Sequence, residues 1–151
     1  MWRVTALVLL VIGGACFGAV KKLSVTADVG ICAHPRETSF NTGGSGRVRV
    51  KGNEHYYLFN FDVSGVKEWR IVSATLHLKL ANGRIRRAAV CTVPVGWVEG
   101  TSTGKAQNGA SCFTHVKYPK TAWTPGGGTV LDATFNSPDM MWRTAMPIIA
   151  K

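Results

Sequence analysis

Acidic side chains are the scarcest functional groups in this chain: Asp and Glu together number eight, against eighteen Lys and Arg. A glycosidase needs two opposed carboxyl groups about 5–10 Å apart, and no close pair of acids falls in a cleft-like motif. Asp62 and Glu99 occupy positions where stabilising a turn is a sufficient role. Cysteine never occurs as CxxC and the four histidines are scattered, so the spacing of a zinc site is missing. "GGSG" and "TPGGG" lack a following Lys-Ser/Thr, which argues against a phosphate-binding loop. Calcium at a sheet edge stays open, but no cluster of oxygen ligands marks it. The expectation is a protein without catalytic residues, metal ligands or cofactor.

What is present is positive charge. The formal net charge is +10, which attracts polyanions: nucleic acid, anionic lipid or acidic polysaccharide. Location narrows that choice. Arg3 supplies a short positive start, "VTALVLLVIGGACFGAV" follows without a charge until Lys21, and Cys16 and Gly18 suit the small-residue positions before a cut near Ala19. That is the pattern of a secretory leader over residues 1–19. An uncleaved anchor is the alternative, because the uncharged run is near the lower length limit for a membrane span. The expected location is secreted or cell-surface, with no membrane span after cleavage, which sets nucleic acid aside as a partner.

With Cys16 in the leader, Cys32, Cys91 and Cys112 remain, an odd number that allows at most one internal bridge. Cys91 and Cys112 flank a glycine-rich loop of about 20 residues whose closure would contribute ~3 kcal/mol. A pair including Cys32, or three unlinked thiols, are the other readings.

Seventeen glycines and six prolines favour many turns and short strands. In "KKLSVTADVGICAH", Leu23, Val25, Ala27, Val29 and Ile31 share one parity, as a strand requires. "PRETSFNTGGSG" reads as a loop. In "RVRVK", Val48 and Val50 face one way while Arg47, Arg49 and Lys51 face the other. Tyr57, Phe59 and Phe61 form the core side of the next strand, which Asp62, Ser64 and Gly65 end. In "IVSATLHLKL", Ala74, Leu76, Leu78 and Leu80 are inward and Thr75, His77 and Lys79 outward. "RIRRAAVCTVPV" gives a further strand, "GWVEGTSTGKAQNGAS" a long loop, and "AWTPGGGTVLDATF" a glycine-rich turn into a last strand. No repeat or linker divides residues 20–151, so one all-β domain, a two-sheet β-sandwich, is expected.

The order of these pieces resembles the DNRLRE-type extracellular domain. The matching residues are Ala27-Asp28, Phe61-Asp62, Ser73-Ala74-Thr75-Leu76, Trp97 with Glu99-Gly100-Thr101, and the later "AWTPGGG" from Ala122 to Gly128. The resemblance covers Ser24 to Phe135 and implies a non-catalytic β-jelly-roll module, related to carbohydrate-binding modules for acidic polysaccharide. Relatives continue with closing strands past the point where this chain reaches "MPIIAK". The expectation is therefore a jelly roll lacking its final strands, with an open edge that calls for a strand-donating partner or a longer multidomain parent.

Side chains two apart on a strand lie ~6.5–7 Å apart on one face, a spacing suited to a rod-like polyanion, and Arg grips a carboxylate through two hydrogen bonds. The candidate ligand-binding residues are therefore Arg47, Arg49 and Lys51, widened by His77, Lys79 and Arg86, with Tyr56 at the outward parity as a sugar platform. The bland alternative is a solvated polar face that blunts an exposed edge. Two functions compete: a module that captures anionic polysaccharide, and a structural or adhesive module held to an anionic cell surface without a specific ligand. Trp97, Trp123 and Trp142 sit beside loops and suit capping of the core better than ligand binding.

Overall fold

The fold comes from a computed structural model, which describes residues 5–9, 19–49, 51, 54–81, 89–135 and 143–144. The described strands are β1 (Thr5–Leu9), β2 (Val20–Cys32), β3 (Phe40–Asn41), β4 (His55–Phe61), β5 (Thr75–His77), β6 (Ala89–Val90), β7 (Lys105–Ala106), β8 (His115–Lys117), β9 (Thr121–Ala122) and β10 (Arg143–Thr144). One helix, α1 (Val130–Phe135), and one 3-10 turn, Ser64–Val66, complete the described elements. The protein is all-β in character, built from small antiparallel sheets. Among the described residues no helix is long and apolar enough to cross a membrane. The chain forms two compact units, where the sequence led us to expect one domain. The first takes its described residues from Met1–Ala27 and Phe59–Arg84, the second from Asp28–Leu58 and Ile85–Ile148.

In the first unit β1 lies between β2 and β5, antiparallel to both, so that Ala6 faces Leu23 on one side and Leu76 on the other. The stretch read as a secretory leader thus contains a strand. A small core gathers Leu23, Val66 and Phe61. After β4 the chain turns as its sequence dictates: the Asp62 carboxylate accepts the Ser64 amide at 2.9 Å, a local bond that ends strand pairing and starts the 3-10 turn. The long alternation expected over "IVSATLHLKL" is not realised. Only Thr75–His77 is strand, and Ile71, Val72 and Leu76 are exposed. Ala74 and Leu76 of its apolar parity are exposed, while Leu78 and Leu80 are half-buried and Lys79 between them is exposed; an alternating pattern orders side chains only where one face is covered.

The second unit holds the larger core: Val29, Ile31, Leu58, Val116, Trp123, Val130 and Ala133, with Tyr56, Val93, Val95, Trp97 and Phe113 packed against it. Val29 and Ile31 come from β2 at the expected parity. On β4 the expectation is corrected: Leu58 is buried and Tyr56 packs on this core, whereas only Phe61 of the trio Tyr57, Phe59 and Phe61 packs against the core of the first unit. Tyr57 instead lies over Gly30, where an added Cβ would come within 2.9 Å of its ring, so the close approach requires glycine.

Polar bonds organise the loops around this core. Asn41, 1% exposed, donates from Nδ2 to the carbonyls of Glu99 at 2.7 Å and Ser111 at 2.8 Å, and its Oδ1 accepts the Gly43 amide at 3.0 Å. Ser111 Oγ accepts the Val98 amide and donates to the Val116 carbonyl. Gly100, at φ +73°, fits between Ala110, Asn41 and Gln107, each too close for a Cβ. These bonds do the work expected of a Cys91–Cys112 bridge. Cys32, Cys91 and Cys112 are all free thiols. Cys112 is fully buried, and its carbonyl accepts the Trp123 indole N–H at 2.8 Å.

The "TVLDATF" segment is also corrected, from strand to helix. Val130, Ala133 and Thr134 are buried, a three-and-four spacing rather than a spacing of two. Asp132 reaches back to accept both the amide (2.6 Å) and the hydroxyl (2.8 Å) of Thr129, which is one half of a capping box.

Candidate functional site

The basic residues singled out above are placed differently from a strand-borne row. Arg47, Arg49 and Lys51 are exposed, but they lie in an irregular segment, and Val48, expected to face inward, is 37% exposed. The preceding Gly43, Gly44, Ser45 and Gly46 turn the chain, with the Ser45 amide bonded to the Thr42 carbonyl at 2.9 Å. Among the described residues of this segment no ladder fixes the two-residue alternation. Lys51 pairs with Glu54 at 3.4 Å, an exposed contact worth little. His77 and Lys79 are exposed and belong to the first unit, whereas Arg47, Arg49 and Lys51 belong to the second. Arg86, like Arg84, Arg87, Val50 and Trp142, lies outside the described residues.

Tyr56, expected at the outward parity, is half-buried instead. Its ring stacks on Phe113 with centroids 5.8 Å apart and packs on the core. Burial raises the pKa of its hydroxyl, and that of Tyr57 more strongly. Trp97 and Trp123 are core residues, as expected. Glu99 is structural: its Oε1 accepts the Asp28 amide at 3.0 Å. Burial first, and the neighbouring Glu99 charge second, raise the Asp28 carboxyl above the usual aspartate range.

The concentration of chemistry that the sequence did not reveal is at the junction of β2 and β4. Cys32 ends β2 and is 5% exposed; His55 begins β4; Glu37 lies in the turn between His34 and Phe40. The turn is closed by amide bonds from Glu37 to the His34 carbonyl (2.8 Å) and from Phe40 to the Glu37 carbonyl (2.9 Å). The Ala33 amide donates to the Glu54 carbonyl at 2.7 Å and joins the end of one strand to the start of the other. The Cys32 sulfur, a Glu37 carboxylate oxygen and a His55 ring nitrogen thereby lie within 4.8 Å of one another. Two backbone bonds orient the set. The His34 amide donates to Cys32 Sγ at 3.4 Å, and His55 Nδ1 lies 3.3 Å from the Lys51 carbonyl. A carbonyl only accepts, so this contact is a hydrogen bond in the tautomer that carries its proton on Nδ1. Burial raises the Cys32 pKa above the ordinary thiol value; the His34 amide opposes this, and the Glu37 and Glu54 carboxylates add to it.

Burial and the neighbouring carboxylates work against an activated thiol, which needs a depressed pKa and access. A second cysteine–histidine contact joins the buried Cys112 to the half-buried His115 at 4.0 Å. Two shallow grooves beside Trp123 and Pro125 bring together no constellation of catalytic groups.

No protein-family model, no curated protein and no solved structure matches this chain.

Proposed function

We propose that the protein is an exported, non-catalytic β-module that captures acidic polysaccharide through exposed cationic side chains. The observation that carries this reading is the exposure of Arg47, Arg49 and Lys51 on one short segment of a chain with a net charge of +10. An irregular segment does not offer a rigid seven-ångström ladder, so selectivity for one repeat length is not expected. Its long, solvated side chains instead adjust to successive carboxylates or sulfates, and Arg47 and Arg49 each supply a two-pronged grip. In this reading the small antiparallel sheets belong to a jelly-roll sandwich of the DNRLRE type, and Trp97, Glu99 and Gly100 are scaffold residues that hold the loops.

The test is retention on immobilised alginate-like or sulfated glycan as salt is raised. The wild-type chain is expected to bind at low salt and elute as screening sets in, and Arg47→Ala with Arg49→Ala is expected to elute much earlier. Equal retention by the double variant removes this segment as the site, and equal binding of a neutral glycan removes charge as the cause. A structural or adhesive envelope module is the second reading. It is favoured by Val63, Trp69, Ile71 and Val72, apolar side chains exposed in the first unit. Equal, salt-dependent retention on every anionic surface, with no preference for any glycan, supports it.

A further inference from the structure

We propose that Cys32, Glu37 and His55 form a binding site for one divalent transition-metal ion, zinc by preference. The inference is independent of polysaccharide capture and concerns a different part of the second unit's chemistry.

The donor set is the first argument. A thiolate, a carboxylate and an imidazole are the three protein ligand types zinc accepts, and calcium or magnesium would not select the sulfur. Distance is the second. In a tetrahedral zinc site, metal–ligand bonds of ~2.0–2.3 Å put the donor atoms about 3.3–3.6 Å apart. The three donors here lie within 4.8 Å of one another, so closure asks for ~1 Å of side-chain movement, which the half-buried Glu37 has the freedom to make. The remaining coordination position falls to water or an external ligand, the arrangement of an open zinc site.

Second-shell bonds supply the third argument. A metal-bound histidine characteristically donates its other ring N–H to a carbonyl or carboxylate, and the Lys51 carbonyl, 3.3 Å from His55 Nδ1, is placed to accept such a bond. The His34 amide on Cys32 Sγ stabilises sulfur in its charged form. Both groups come from the backbone, so the orientation survives side-chain fluctuation.

The experiment uses the full chain, stripped with a chelator and titrated with zinc by equilibrium dialysis and with cobalt by absorbance. One ion per chain is expected, together with the charge-transfer band that a thiolate gives on cobalt. Loss of a second-shell partner usually weakens metal binding about 10–100-fold, so Glu37→Gln and His55→Gln, which remove ligands themselves, are expected to weaken it at least about 100-fold. Cys32→Ser is expected to abolish the charge-transfer band, and Cys112→Ser to leave it intact. Far-UV circular dichroism establishes that each variant is folded before its affinity is read. The proposal is overturned by a folded wild-type chain that binds neither ion, by cobalt binding without a thiolate band, or by a band that persists in Cys32→Ser. The wild-type spectrum decides the matter even where a variant does not fold.

Discussion

Replacing Asn41 by alanine is the most direct test of how the second unit is held together. The side chain is 1% exposed and makes three hydrogen bonds to main-chain groups of three separate residues, Glu99, Ser111 and Gly43. Alanine leaves two carbonyls and one amide without that partner in a site where water has little access. A buried group stripped of its partner costs roughly 1–3 kcal/mol. At the low end of that range, since loops relax, the three groups sum to about 3–4 kcal/mol. This is a large part of the ~5–15 kcal/mol by which a domain is stable. Urea unfolding followed by tryptophan fluorescence gives the readout, because Trp97 and Trp123 both pack in this core. With a slope of about 1.5–2 kcal/mol per molar urea, the midpoint should fall by roughly 2 M. Asn60, exposed at the surface and accepting the adjacent Phe61 amide, is the control; its alanine variant should stay within about 0.5 kcal/mol of wild type. If Asn41→Ala moves the midpoint no further than Asn60→Ala does, the loops are not organised through this side chain.

Two further predictions concern pH. The Asp132 carboxyl is held below the usual aspartate range, first by the Thr129 amide and then by its hydroxyl. Its contribution is therefore complete above the unfolded pKa and disappears as pH falls through the lower folded value. Asp132→Ala should melt lower than wild type at neutral pH, and the gap should close in acid; a gap that is constant with pH contradicts the assignment. Asp28 has the opposite sign. Its folded pKa is raised by burial and by Glu99, so the folded state loses stability as pH rises through the interval between the ordinary and the raised value. Asp28→Asn should therefore melt higher than wild type at neutral pH, and a lower melting point would show that the charge is wanted there.

Much of the local structure follows from the residues themselves. β2 forms with the parity of Leu23, Val29 and Ile31 because a two-residue period is a property of the extended backbone, independent of what covers it. The turn after β4 is equally local, since Asp62 needs only the amide two residues on. "TVLD" carried the signal of a helix start, Thr followed three residues later by Asp, and the buried spacing Val130, Ala133, Thr134 agrees with it. A strand reading of that segment overlooks the cap.

Decisions that require two distant segments are of another kind. Whether "RVRVK" becomes a strand depends on a hydrogen-bonding partner, and alternation alone cannot supply one; without it Val48 remains exposed. Which parity of β4 is buried depends on which core each half of the strand serves: Leu58 meets one and Phe61 the other. Cys32, Glu37 and His55 have no motif spacing; the pairing of β2 with β4, the tie between Ala33 and Glu54 and the closed turn at Glu37 bring their donor atoms together. Periodicity, caps and turns are short-range consequences of covalent geometry and could be read in advance. Partner choice, burial of a given face and convergence of donors are set by long-range packing, which the tertiary structure alone decided.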